Sequence, residues 1–331
     1  MSGGDWRPTA SVETLRLRAR LLAAVRAFFA ERGVLEVETP CLGAAAVTDP
    51  HLQSLATCLA AVGSQRTLYL QTSPEYAMKR LLAAGSGPIY QLARAFRDGE
   101  TGRRHNPEFT LLEWYRPGFD HHRLMDEVEE LLAATLGGSA APAGAAERIT
   151  YAEAFRRHAA IDPFAEPAER LAETARRGAA GAVPDLGEDR DSWLDLLMGT
   201  AVTPALGRGR PTFVYDFPAS QAALARLRES DPEGGPAVAE RFELFIEGME
   251  LANGFHELTD RAEQHRRFER DLARRRARGL PEPPVDDRLL AALGSGLPDC
   301  AGVALGFDRL VMLAAGAAAI DQVLAFPIDR A

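Results

Sequence analysis

Cysteine is scarce in this chain: Cys41, Cys58 and Cys300 are the only three in 331 residues, and no two form a C-x-x-C pair. An odd, scattered set argues against a disulfide framework and a structural zinc site, and points to a reducing cytoplasm. Long apolar runs are also missing. Nothing approaches the roughly 20 residues that a membrane span needs, and the N-terminus lacks the charged-then-apolar order of a signal peptide, so neither a membrane protein nor an exported one is expected. Positive charge is not in surplus, with 38 basic against 47 acidic residues and a net charge of −9. That balance argues against a broad nucleic-acid surface. Lysine is nearly absent, Lys79 being the only one, which reads as a bias toward arginine without functional weight of its own. What remains is a chain with 46% hydrophobic residues, enough to bury the core of one large soluble domain.

The richest stretch is Phe96-Arg97-Asp98-Gly99-Glu100-Thr101-Gly102-Arg103-Arg104-His105-Asn106-Pro107-Glu108-Phe109-Thr110-Leu111-Leu112-Glu113-Trp114-Tyr115. An apolar strand over 90–96 delivers Arg97, a polar loop follows, and Phe109 opens a returning strand, which predicts an antiparallel hairpin around a long loop. A guanidinium at Arg97 can fork onto a phosphate and a carboxylate together. Phe109 offers adenine a flat face, and a carboxylate in the stretch can bind an ammonium group. A solvated hairpin with one stray arginine would look similar. Near the C-terminus, Gly302-Val303-Ala304-Leu305-Gly306-Phe307-Asp308-Arg309-Leu310 reads as a small-residue strand, a cap at Asp308 and a helix with Arg309 in its first turn.

Elsewhere the apolar spacing of Leu15, Leu21, Leu22, Val25, Phe28 and Phe29 predicts an amphipathic helix over 11–32, stopped by Gly33 and followed by a strand over 35–39 and Pro40. Ser73, Pro74 and Glu75 read as N-cap, first helical residue and first-turn carboxylate. A small, Gly/Pro/Ala-rich stretch at 137–146 reads as a surface linker. Arg266, Arg267, Arg270, Arg274, Arg275, Arg276 and Arg278 fall on a helix that Asp260 and Glu263 would cap and Gly279 would end; a solvated face is the default, with contact to an acidic protein partner as the alternative. Glu243, Glu250 and Glu257 are spaced by seven, which one helix face would also satisfy. Two strands with Glu247-Gly248 as their turn fit better. Pairing Ile246 with Met249 then puts Phe245 opposite Glu250 and places Glu243 and Glu250 on one face, where two carboxylates can hold Mg²⁺. Glu257 has the wrong parity unless Asn253-Gly254 supplies a bulge or kink.

Together the Arg97 and Arg309 segments resemble motifs 2 and 3 of class II aminoacyl-tRNA synthetases. The chain resembles the lysyl-tRNA synthetase catalytic domain through Thr72-Ser73-Pro74-Glu75-Tyr76, His105-Asn106-Pro107-Glu108-Phe109-Thr110 and Glu250-Leu251-Ala252-Asn253-Gly254-Phe255-His256-Glu257-Leu258. Within that family it is most similar to the tRNA-free ligases that attach β-lysine to elongation factor P, through Gly33-Val34-Leu35-Glu36-Val37-Glu38-Thr39-Pro40-Cys41, Pro211-Thr212-Phe213-Val214-Tyr215, Phe217-Pro218-Ala219-Ser220-Gln221 and Pro298-Asp299-Cys300. The resemblance implies an α+β fold, an antiparallel β-sheet flanked by helices, as one catalytic domain over 1–331 with an insertion at about 160–210. It implies a homodimer built through motif 1, although a surface helix and edge strand would give the same local pattern.

For the site, the resemblance implies ATP and Mg²⁺, with lysine or β-lysine activated to an adenylate. Arg97 would span the amino-acid carboxylate and the α-phosphate, and His105 and Arg309 would hold the outer phosphates. The nucleotide set comprises Arg97, Asp98, Gly99, Glu100, His105, Asn106, Phe109, Glu250, Leu251, Gly306 and Arg309, with Asn106 and Phe109 on adenine. Glu243 and Glu250 would carry the metal. Ser73, Pro74, Glu75, Glu113, Tyr115, Asn253, Glu257 and Ala304 would line the amino-acid pocket, with Glu113, Tyr115 and Glu257 around its distal ammonium and Asn253 by its carboxylate. Two departures stand out: lysyl-tRNA synthetases usually have Arg-Asn-Glu where this chain has Arg97-Asp98-Gly99-Glu100, so the usual adenine contact would be displaced or made by Glu100, and they have a glycine where it has Ala304. Only about 35 residues precede the motif 1 strand, too few for an anticodon-binding barrel, so elongation factor P is expected as acceptor and tRNA is not. A truncated synthetase charging tRNA or another carrier is the enzymatic alternative. A regulatory paralogue that only senses amino acid is the other, and intact Arg97, Glu243, Glu250 and Arg309 argue against it.

Overall fold

A computed structural model describes residues 6–61, 64–137, 144–179, 181–229 and 234–331. Two compact units emerge: Met1–Phe119 with Glu130–Ala141 and Thr259–Ala331, and Asp120–Glu129 with Pro142–Leu258. Strands pair mainly antiparallel within each, with helices beside them, as the α+β expectation required.

In the first unit the expected hairpin forms from strands Ile89–Phe96 and Glu108–Pro117, and Cys300–Gly306 adds to Glu108–Pro117 on the other side. The helix Val12–Glu31 starts where Ser11 accepts the Thr14 amide at 3.1 Å, and Gly33 leaves it with φ +64°. Its buried stripe of Leu21, Val25, Phe28 and Phe29 covers one sheet face: Phe29 stacks on Tyr90 at 4.4 Å and meets the Trp114 edge at 5.4 Å. The strand expected over 35–39 is shorter. Only Leu35–Glu36 pairs, parallel to Ile89 and Tyr90, before Thr39 turns its hydroxyl onto Gln91 and Pro40 removes a donor. A separate three-stranded sheet joins Leu42–Gly43, Ser64–Leu70 and Ala56–Ala61.

Several local expectations need correction. Gly306, not Asp308, holds the N-cap position of the helix Phe307–Ala315. Asp308 is buried in the first turn, where Oδ2 accepts the Thr110 amide at 2.7 Å and Oδ1 meets Arg18 at 2.5 Å. It thereby clamps Val12–Glu31, Glu108–Pro117 and Phe307–Ala315 together. Asp308→Ala takes the carboxylate from a mostly buried Arg18, which keeps its bond to Thr110 Oγ1, and frees the Thr110 amide, so urea unfolding should show a loss of about 3–5 kcal/mol. A loss below about 1 kcal/mol, the scale of an exposed pair, would contradict the clamp. Likewise, the helix Glu75–Ala83 starts one residue later than expected, with Pro74 at the cap and Ser73 Oγ accepting the Glu75 amide at a long 3.4 Å. The basic helix Arg261–Ala277 is capped by Asp260 as expected, but its arginines are not all solvated. Arg275 is buried and donates to the carbonyls of Pro281, Asp49 and Leu52 and to Gln53, and Arg267 is buried against Glu263.

In the second unit, Met249–His256, Val238–Ile246, Thr212–Pro218 and Glu147–Thr150 pair in that order. The helices Tyr151–Ala159, Ala168–Gly178 and Arg190–Leu197 bring Phe155, Leu171 and Trp193 into a core with Phe217 and Phe245. The 160–210 segment is helical in pieces, with a π-helical turn at Met198–Val202. Of the linker expected at 137–146, residues 138–143 lie outside the described residues. The acidic series lies on a hairpin: Glu247 and Gly248 have φ of +50° and +65°, as a two-residue turn requires, and Ile246 pairs with Met249 and Phe245 with Glu250. A bulge does correct the parity of Glu257, but at Leu251 and not at Asn253-Gly254. Leu244 pairs with Ala252 while Phe245 pairs with Glu250, leaving Leu251 as the extra residue.

Candidate active site

One face of the first unit's sheet is covered by aromatics from Val12–Glu31; the other carries the candidate site residues. Strand alternation puts Phe109, Leu111, Glu113 and Tyr115 on that second face. Ala304 lies opposite Glu113 and Gly302 opposite Tyr115, so small residues border the carboxylate. Glu113 and Tyr115 are both buried, and the phenol donates to Glu113 Oε1 at 2.7 Å. Arg97 leaves the strand end with its guanidinium carbon 5.0 Å from the Phe109 ring centroid and Nη1 3.4 Å from Glu100. Glu100, the candidate to replace the usual adenine-contacting glutamate, thus lies beside Arg97. Asp98 is fixed by its amide to the Gln53 carbonyl, and Gly99 takes φ +77° in the loop.

His105 and Arg309 come together, with Nε2 and Nη2 2.8 Å apart, so the imidazole accepts at Nε2 and the guanidinium donates. A Cβ at Gly306 would lie 3.4 Å from Arg309 Cδ, so the bare glycine leaves the arginine room along the backbone. Asn106 is engaged structurally: its amide donates to the Glu108 carbonyl at 2.6 Å and its oxygen accepts the Ile328 amide at 3.0 Å. Ser73 and Pro74 precede the helix that carries Glu75, whose Oε1 meets Lys79 Nζ at 2.6 Å. Lys79 is buried, a role that its reading as compositional bias missed; its spacing of four from Glu75 was the available signal.

The second unit carries its own set of candidate acidic residues. Glu243 pairs with Asn253 across the hairpin, and Glu250 shares their face through Phe245. Burial pushes the Glu243 carboxyl up to about 7, against the lowering effect of Arg241 and with the Glu250 charge adding to the rise. Such a carboxylate pair suits a hard divalent cation, which would relieve both the desolvation and the mutual repulsion. Asn253 Oδ1 is buried with no hydrogen-bond partner among the described residues, as a waiting substrate contact would be. Glu257 is buried just past the strand, bridged to Ala225. Leu251 is the bulge residue itself.

Two neighbours escaped sequence reasoning. Arg241 hydrogen-bonds Glu243 and stacks on Phe217, its guanidinium carbon 4.4 Å from the ring centroid. Its position two residues before Glu243 on a strand was the signal. Gln91, buried opposite Glu113, is a polar residue inside an apolar strand run.

The family described as tRNA synthetases class II (D, K and N) matches residues 4–330, and the chain belongs to this family. More particularly, it is 53% identical over 328 residues, 98% of its own length and 98% of theirs, to the elongation factor P–(R)-beta-lysine ligases of Salmonella dublin, Salmonella paratyphi B and Salmonella heidelberg.

Proposed function

We propose that this chain is an ATP-dependent, AMP-forming ligase that activates (R)-β-lysine, or lysine, and transfers it to a lysine ε-amine of elongation factor P. The observation that carries this reading is the 53% identity to such ligases across 98% of both chains. An amino-acid carboxylate oxygen attacks the ATP α-phosphorus, the bond to the β-phosphate oxygen breaks, and pyrophosphate leaves. The nucleophile is already ionised, so this step needs charge neutralisation and alignment more than a base. Arg97 spans carboxylate and α-phosphate, His105 and Arg309 hold the outer phosphates, and Phe109 stacks adenine. Glu243 and Glu250 would hold Mg²⁺, which supplies further neutralisation of the triphosphate. In the second step the acceptor amine attacks the adenylate carbonyl, loses a proton and expels AMP.

Glu113, Tyr115 and Glu257 receive the distal ammonium, and Asn253 the carboxylate. The family match over 4–330 supports a single catalytic domain; an insertion at about 160–210 is proposed on the resemblance alone. Exposed Val12, Leu35 and Leu42 support a homodimer through motif 1, and three free thiols suit the cytoplasm. No helix of the described residues is long and apolar enough to cross a membrane. Co-expression with the cognate elongation factor P should give one lysyl-type adduct by intact mass, absent from Arg97→Ala; an unmodified factor beside an exchange-active enzyme would sink the acceptor assignment.

Ala304 offers a finer test. Its position opposite Glu113 means that Ala304→Gly removes a methyl group beside the pocket carboxylate. The ratio of kcat/KM for α-lysine over β-lysine should rise by roughly tenfold to a hundredfold, the scale of one methyl in a pocket. An unchanged ratio would make Ala304 packing only.

A further inference from the structure

A second polar cluster lies on the other face of the second unit's hairpin from Glu243. Arg241 pairs with Phe255 and Glu243 with Asn253. Their neighbours Glu240 and His256 therefore point to the opposite side. There His256 Nδ1 lies 2.6 Å from Glu240 Oε2. His121, the first residue of the helix His121–Thr135, joins them, and one ligand atom from each of the three lies within 4.8 Å of the others. His121 is only 2% exposed, yet neither ring nitrogen has a hydrogen-bond partner among the described residues. Buried polar groups are rarely left so. Burial, with His122 beside it, pushes its pKa down to about 4, so the imidazole is neutral and has a lone pair to offer.

The backbone is shaped around the same point. Between the pairs Ala239 with Phe217 and Phe242 with Tyr215, two residues, Glu240 and Arg241, face the single Asp216. That is a bulge, a device that re-aims side chains. Asp216 itself has φ +59°, uncommon for a strand residue other than glycine, and its Oδ1, buried without a hydrogen bond, lies 4.0 Å from His121 Nε2. Its Oδ2 is held by Arg228 at 2.6 Å.

We infer that His121, Glu240 and His256 bind one Zn²⁺, with Asp216 within reach as a fourth ligand. Two imidazoles with one or two carboxylates, the histidines buried and Glu240 half-buried, are nitrogen and oxygen donors that zinc takes tetrahedrally, whereas magnesium and calcium take oxygen alone. Bonds of about 2.0–2.1 Å set tetrahedral ligand atoms ~3.3 Å apart, so the close His256–Glu240 contact opens by less than ~1 Å on loading. The site uses no cysteine, which is why cysteine spacing gave no sign of it. Because it lies across the sheet from Glu243 and Glu250, zinc here would tie the start of His121–Thr135 to the hairpin and take no part in phosphate chemistry.

The test uses the untagged full chain, stripped with chelator, loaded with Zn²⁺ and desalted. Elemental analysis should find about one zinc per chain, with a raised Tm, and Co²⁺ in its place should give the intense visible absorption of a tetrahedral site. His121→Ala and Glu240→Gln should lose the metal, while the Glu243→Gln/Glu250→Gln double variant keeps it. Wild-type protein that retains no zinc and shows no cobalt band would overturn the assignment, even if the histidine variant failed to fold. Full retention in His121→Ala, or loss only in the double variant, would overturn it equally.

Discussion

Arg309→Ala should lose ATP–pyrophosphate exchange by on the order of 10³-fold or more, the range seen when a charge aimed at a transferring phosphate is removed, while its Tm stays at the wild-type value. The side chain is half-buried and reaches outward from the first turn of Phe307–Ala315 to His105, so its removal opens no cavity in the core. The clamp that anchors the same helix belongs to Asp308, one residue earlier. Loss of function and loss of stability are therefore separable at adjacent positions: Arg309→Ala removes activity from a stable protein, and Asp308→Ala removes stability. Exchange near the wild-type rate in Arg309→Ala would refute the motif 3 role.

Norleucine, which has lysine's chain without the terminal ammonium, should be activated far more weakly than lysine or β-lysine. Glu113 is 2% exposed and Glu257 1% exposed, so in the proposed pocket a neutral methyl group would leave buried carboxylate charge without the substrate's ammonium. Removing one partner of a buried pair is worth about 3–5 kcal/mol. The kcat/KM for exchange should then fall by roughly 10²–10⁴-fold. Comparable rates with norleucine would remove Glu113, Tyr115 and Glu257 from the ammonium pocket.

Much of this was legible because strand parity and turn chemistry are local. Glu247-Gly248 set the hairpin register, and the register set the faces of Glu243 and Glu250. Phe109, Glu113 and Tyr115 shared a face for the same reason. What could not be read were decisions made by distant partners. Asp308 reads as a cap from its own segment and becomes a clamp only because Arg18 and Thr110 arrive from elsewhere. Arg275 reads as a solvated charge until the Asp49 and Leu52 carbonyls surround it. The Leu251 bulge was required by the parity of Glu257, but nothing in that stretch says where along the strand the extra residue falls. The group of His121, Glu240 and His256 comes from positions more than a hundred residues apart at its extremes, beyond any motif window.

Lys79 carries a last consequence. It is the chain's sole lysine, buried, with its ammonium held 2.6 Å from Glu75. An aminoacyl-adenylate is a mixed anhydride that acylates whatever unprotonated amine it meets, and a protein that makes one is ordinarily exposed to its own product. Here no side-chain amine is available at the surface to be hit. A leaking adenylate would find only the α-amino group of the chain, so the folded protein should resist self-acylation during turnover and take up a single equivalent of an amine-reactive label.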